Sequence, residues 1–96
     1  MPAYMVFTRL RTRDEAELDV YRKTVGPSLA GHEFKTLANR SPSEVLEGPQ
    51  VECVIILEFP TRTEAKAWYA SPAYQEAAKH RFLGADYSAT IVEGES

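Results

Sequence analysis

Cysteine is almost missing from this chain. Cys53 stands alone, so no disulfide can form within the 96 residues, and a reducing, cytoplasmic setting is the expectation. Histidine is nearly as scarce: His32 and His80 lie far apart in sequence, and no pair of histidine or cysteine ligands falls at i, i+3 or i, i+4. That spacing gives no metal signature and no cofactor to expect. There is no surplus of positive charge, with 11 Lys+Arg against 14 Asp+Glu and a formal net charge of −3. Nucleic acid needs a basic face and is not an expected partner. No run approaches the roughly 18 apolar residues of a membrane span, and MPAYMVFTRLRTRDE lacks the charge-then-apolar order of a secretory leader, so no membrane partner is expected. A glycine-rich phosphate loop, a GxSxG nucleophile motif and internal repeats are also absent. Cys53 itself sits mid-strand between Glu52 and Val54, where an inert buried thiol is expected rather than a nucleophile.

What is present is ordinary globular material: 44% apolar and 26% charged residues, well mixed. The length suits one domain, residues 1–96. A chain of this size buries only about 60–65% of its unfolded surface, so association with a second copy would help it. Ala3 to Leu10 reads as a strand with apolar residues on both parities. Thr12 and Glu15 have the spacing of a capping box, and Leu18, Tyr21, Val25 and Leu29 then recur every three or four residues, which predicts a helix with one apolar stripe. Gly26-Pro27 predicts a kink in it. His32 to Arg40 predicts a weaker strand, between turns at the preceding loop and at Ser41-Pro42 and Gly48-Pro49.

Val51 to Phe59 is the strongest strand signal. Val51, Cys53, Ile55, Leu57 and Phe59 share one face, while Glu52, Val54, Ile56 and Glu58 share the other. Both faces are apolar in the middle, which predicts a central strand covered twice. One helical layer covers one side, and a second subunit is the economical cover for the other. Thr61 with Glu64 predicts a further helix that buries Ala65, Trp68 and Tyr69; Ser71-Pro72 restarts it, Gly84 ends it, and Tyr87 to Val92 forms the last strand before a loose tail at residues 93–96. The order is β-α-β-β-α-β, an α+β ferredoxin-like arrangement: a four-stranded antiparallel sheet with helices on one face.

The segment LEFPTRTEAKAWYASPAYQ, Leu57 to Gln75, resembles the signature of the DUF1330 family, small bacterial proteins of the dimeric α/β-barrel superfamily. Its matching places are Glu58-Phe59-Pro60, Thr61, Ala67-Trp68-Tyr69 and Ser71-Pro72-Ala73-Tyr74-Gln75, with further likeness at Leu46-Glu47-Gly48, Arg81, Ala85, Val92-Glu93-Gly94, Tyr21 and Pro27. The sequence departs where the family tends to carry glycines near Glu33-Phe34 and Arg-Gly-Gly near Asn39-Arg40-Ser41. The resemblance implies a homodimer whose two sheets pack face to face with the helices outside. The superfamily includes cofactor-free monooxygenases, haem-handling proteins and lactone isomerases, and a shared fold does not carry a reaction across.

Glu58 and Arg81 are the candidate catalytic pair. With Phe59 toward the helices, Glu58 faces the other side among apolar groups, where desolvation would favour a general base; an ion pair at the sheet rim is the alternative. Arg81 lies on the face of Tyr74 and offers a planar fork for a carboxylate or enolate; a structural ion pair competes with that reading. Tyr21, Trp68, Tyr69 and Tyr74 are candidate ligand contacts whose spacing also suits plain core packing, and His80 is a candidate because histidines titrate near neutrality, against a simple surface position. The spacing from Trp68 to a downstream histidine differs from the haem-degrading members, and the first strand lacks their asparagine. Two functions follow: a cofactor-independent acid–base enzyme acting on a small organic acid or ketone, or a non-catalytic binding or assembly module whose polar groups pin a dimer.

Overall fold

The computed structural model describes residues 1–95. Strand β1 (Ala3–Thr12) alternates strictly: Ala3, Met5 and Phe7 are buried beneath the helices, whereas Tyr4, Val6 and Thr8 are half-buried on the other side. Helix α1 (Glu15–Ser28), β2 (Lys35–Asn39), β3 (Cys53–Phe59), α2 (Arg62–Tyr69), α3 (Pro72–Gly84) and β4 (Ala85–Glu93) follow. The strands form one sheet in the order β2-β3-β1-β4 with every neighbouring pair antiparallel. This is the ferredoxin-like α+β arrangement, with the second helical segment broken in two at Ala70-Ser71.

The break is local chemistry. Ser71 accepts a hydrogen bond from the Tyr74 amide (3.3 Å), and Pro72, which has no amide hydrogen, takes the first helical position. Thr61 caps α2 in the same way, its hydroxyl accepting from the Glu64 amide at 3.1 Å. Thr12 does not cap α1. Its hydroxyl donates to Glu52 (2.5 Å) and its amide to the same carboxylate (3.1 Å), because β1 continues to Thr12 in register with Ala85 of β4. Asp14 caps α1 instead, accepting from the Ala16 amide at 3.0 Å.

Further boundaries differ from the sequence expectation. Strand β3 begins at Cys53 rather than Val51, because pairing with β1 starts at Arg9, and β4 runs from Ala85 to Glu93 rather than from Tyr87 to Val92, because it pairs with β1 as far as Thr12. Helix α1 runs through Gly26-Pro27 and ends at Ser28, so the pair marks its last turn rather than an interior kink. Strand β2 spans five residues, not nine: a bulge between Thr36 and Ala38 leaves Leu37 exposed, and Arg40 ends the pairing at φ 57°. At the C-terminus Glu93 closes β4 and the Gly94 amide donates to the Pro2 carbonyl (2.8 Å), so the tail is tied down as far as that residue; Ser96 lies outside the described residues.

The core lies between the sheet and the helices. Trp68 is fully buried at its centre, stacked on Phe59 (centroids 5.5 Å apart), edge-on to Phe7 (6.2 Å) and against Tyr74 (4.2 Å). Its indole Nε1 donates to Ser28 Oγ at 3.1 Å, which ties α2 to the end of α1. Helix α1 packs chiefly on α3 rather than on the strands. Gly84 permits this approach, since a Cβ there would lie 2.9 Å from the Leu18 side chain. A helix held by its neighbour stands off the sheet, and that separation creates the site described next.

Candidate functional site

Between α1 and the helix-facing side of the sheet lies a cavity of about 270 Å³. Small-ligand pockets start near 300 Å³, so the space suits a small molecule. Phe7, Leu18, Val25, Leu29, Ile55, Leu57 and Trp68 make its apolar walls, and Gly26 keeps one side open because no atom lies within 4 Å of where its Cβ would be. Thr36, Asn39 and Arg40 of the β2 end, Arg22 and Tyr21 of α1, and Arg9 and Tyr87 of the central and edge strands supply the polar lining. No Asp, Glu or His lines it. The ionisable groups are guanidiniums and phenols.

Their environments follow from burial and neighbours. Arg9 and Tyr87 face each other across the β1–β4 pair. Arg9 is largely buried (side chain 15% exposed). Burial opposes its charge, but Cys53, Tyr87 and Glu52 outweigh that and hold its pKa above the ordinary value. Its Nε lies 2.8 Å from Glu52 Oε1; the Thr12 hydrogen bond first, and this ion pair after it, hold the Glu52 carboxyl below its ordinary value. Arg22 is matched on α1 by Asp19 (2.6 Å) and Glu15 (3.5 Å). Arg40 holds a left-handed backbone, which is uncommon outside glycine and costs roughly 1–2 kcal/mol.

The phenols are donors at neutral pH. Burial pushes Tyr21 far above the usual tyrosine value, with Tyr74 adding to the rise through charge and through the 3.1 Å bond between their hydroxyls. Burial also raises Tyr87, against the opposing pull of Arg9 and Arg81, and raises Tyr74, against Arg81 and the bond to Tyr21. With protonated phenols, cationic guanidiniums and no carboxylate or imidazole, the cavity can hold an anion or polarise a carbonyl or enolate oxygen. It holds no general base.

The residues expected from the sequence are distributed over several places. Tyr21 and Trp68 line this cavity. Tyr74 is buried behind them, bonded to Tyr21 and packed on Trp68. Tyr69 and Arg81 line a separate groove on the far side of Tyr87. His80 is turned outward and bonded to Glu17 of α1 at 2.6 Å, an inter-helix tie rather than a ligand contact.

Glu58 and Arg81 are not a pair. Glu58 alternates with buried Leu57 and Phe59, so it points to the open side of the sheet, where it is 26% exposed and 3.9 Å from Lys35 Nζ. Arg81 lies over Phe7 on the helix side. The sheet stands between base and anion holder, which removes the expected common pocket. Arg9, Arg22, Arg40, Asn39 and Tyr87 were not among the expected site residues. The available signal was parity: Arg9 follows Ala3, Met5 and Phe7 at every second position, and a cation on a buried parity marks a polar group aimed inward. Among the described residues no group of His, Cys, Asp or Glu could hold a metal ion, and no helix is long and apolar enough to cross a membrane.

A ferredoxin-like sheet with a small apolar cavity under its first helix is the class of protein that these features define. Residues 2–95 match the family described as a domain of unknown function, DUF1330, and the chain belongs to that family. No curated protein matches it. Among solved structures it is similar to RPA0582, a protein of unknown function from Rhodopseudomonas palustris, at 21% identity and a TM-score of 0.75, with 99% of this chain and 83% of that one covered. It is also similar to a dimeric ferredoxin-like protein of unknown function from Bacteroides fragilis (15% identity, TM-score 0.64, covering 97% and 96%). A third likeness is to SnoaB, a cofactor-independent oxygenase from Streptomyces nogalater (9% identity, TM-score 0.63, covering 99% and 94%). Identities this low speak for the fold alone.

Proposed function

We propose that this protein is a homodimeric binding protein for a small organic acid, held in the cavity beneath α1 with its carboxylate at Arg9 and Tyr87. The observation that carries the reading is the lining itself: apolar walls whose ionisable groups are all cations or protonated phenols. A carboxylate meets the Arg9 guanidinium beside its ion pair with Glu52, and the apolar body of the acid fills the space against Phe7, Ile55 and Trp68. A ketone or its enolate would be polarised by the same donors, which is the chemistry these residues can supply if turnover occurs. Dimerisation is supported by the sheet's open face, where Tyr4, Val6, Val54 and Ile56 are only half-buried in one chain, and by the dimeric neighbours of the same fold. The unpaired, buried Cys53 fits a reducing, cytoplasmic setting.

Trp68 is the chain's only tryptophan and lines the cavity, so its emission reports on occupancy. Titrating the protein with a panel of small aliphatic and aromatic acids and ketones is expected to change that emission saturably for some of the acids. Arg9→Met should weaken those ligands about tenfold or more, and Glu58→Gln, on the opposite face, should not. Emission unmoved by every acid, or affinity unchanged in Arg9→Met, rejects the reading.

A further inference from the structure

The second opening in the molecule is a groove of about 410 Å³ between the end of α3 and β4. Arg81 forms part of its wall. That side chain is 3% exposed, and no carboxylate among the described residues lies within ion-pair distance of it. Its guanidinium carbon is held among three rings, 5.4 Å from Phe7, 4.8 Å from Phe82 and 5.0 Å from Tyr87, the last two of which also line the groove.

Ring faces and the negative end of α3 stabilise the charge, and the Tyr74 hydroxyl lies within reach of the guanidinium, but the buried Nε–H has no acceptor. The other charges at the groove are already committed. Asp86 is paired with Arg11 (3.0 Å) and with Arg13, and Arg13 also donates to the Phe82 carbonyl. No carboxylate of the described residues is therefore left to pair with Arg81.

We propose that the groove is a second, independent binding site for a small free carboxylate, with Arg81 as the group that engages it and Tyr69 and Phe82 as the apolar surface for its tail. A carboxylate matches the guanidinium fork with two parallel hydrogen bonds. The site does not depend on the cavity beneath α1, because Tyr87 separates the two openings and Arg9 lines only the first.

The test is nuclear magnetic resonance of the arginine Nε–H signals in the full chain during titration with propionate and with benzoate, with chloride at matched ionic strength as the control. The Arg81 signal is expected to shift saturably with both carboxylates and not with chloride, and to do so equally in Arg9→Met. Arg81→Lys should weaken the binding, read as saturable stabilisation against heat, about tenfold or more. Since the main readout uses the unmutated protein, a variant that fails to fold does not obscure the answer. An Arg81 signal that ignores both carboxylates overturns the proposal. A signal that responds only to protein concentration also overturns it, because the counter-ion then comes from a second copy of the chain.

Discussion

Tyr21 and Tyr74 share a hydrogen bond between buried hydroxyls, and that has a consequence for alkali. Each phenol, with Tyr87, has its folded-state pKa raised above the ordinary value near 10. The unfolded chain therefore loses these protons first. Stability from this source is fully present below about pH 10 and is lost as pH rises beyond it. Melting temperature should fall steeply above about pH 10, with tyrosinate absorbance from these residues appearing together with unfolding, and Tyr21→Phe should make the fall shallower. A melting temperature flat through that range would mean the phenols ionise in place. The aromatic cluster was legible because Tyr21, Trp68 and Tyr74 fall at helical spacing. Arg9 carried only its parity as a signal and Tyr87 none, because a terminal arginine or tyrosine in a strand looks like a rim residue until the register sets them opposite each other. Glu58 was placed correctly relative to Phe59. The error lay in joining it to a residue on a helix, since which face a helix covers is a tertiary fact.

At the scale of elements, α1 and α3 are joined at Gly84. The amides of Arg13 and Asp14 both donate to its carbonyl (2.7 and 3.0 Å), and the absent Cβ makes room for Leu18. Gly84→Ala drives a methyl against Leu18 and its backbone nitrogen, 3.0 Å away, and should destabilise the fold by about 1–3 kcal/mol in denaturant unfolding. Because α1 would be pushed outward, affinity in the neighbouring cavity should change as well. An unchanged midpoint would show that Leu18 has room to rotate. The sequence marks Gly84 as a helix stop, but the φ that favours glycine is not the reason here; a close approach is. The caps divide in the same way. Thr61 and Ser71 act through their own neighbours and were legible. Thr12 is bound by Glu52, forty residues away, and no local pattern announces that.

For the whole molecule, the element order and sheet topology were legible because the strong alternation of β3 and the cap chemistry of its following helices agree. The second subunit was argued from the same alternation: Val54 and Ile56 are too apolar for a face left to water. Ile56 lies centrally on that face, opposite Val6 of β1 and Ala38 of β2. Ile56→Lys should shift the mass in sedimentation to that of one chain while far-ultraviolet circular dichroism stays folded. A dimeric Ile56→Lys would place the interface elsewhere.

The alternation along β1 and β3 carries one more consequence. Phe7, Arg9, Ile55 and Leu57 answer to the cavity, while Val6, Thr8, Val54 and Ile56 answer to the open face. Two separate surfaces are thus written into one stretch of chain at odd and even places. Under the proposed function, substitution at the odd positions would retune the ligand while the even ones keep the proposed dimer face constant, so relatives would diverge in ligand without diverging in architecture. A single-residue insertion exchanges the two sets at once. Lineages of this fold should therefore tolerate many point changes in these strands and very few length changes.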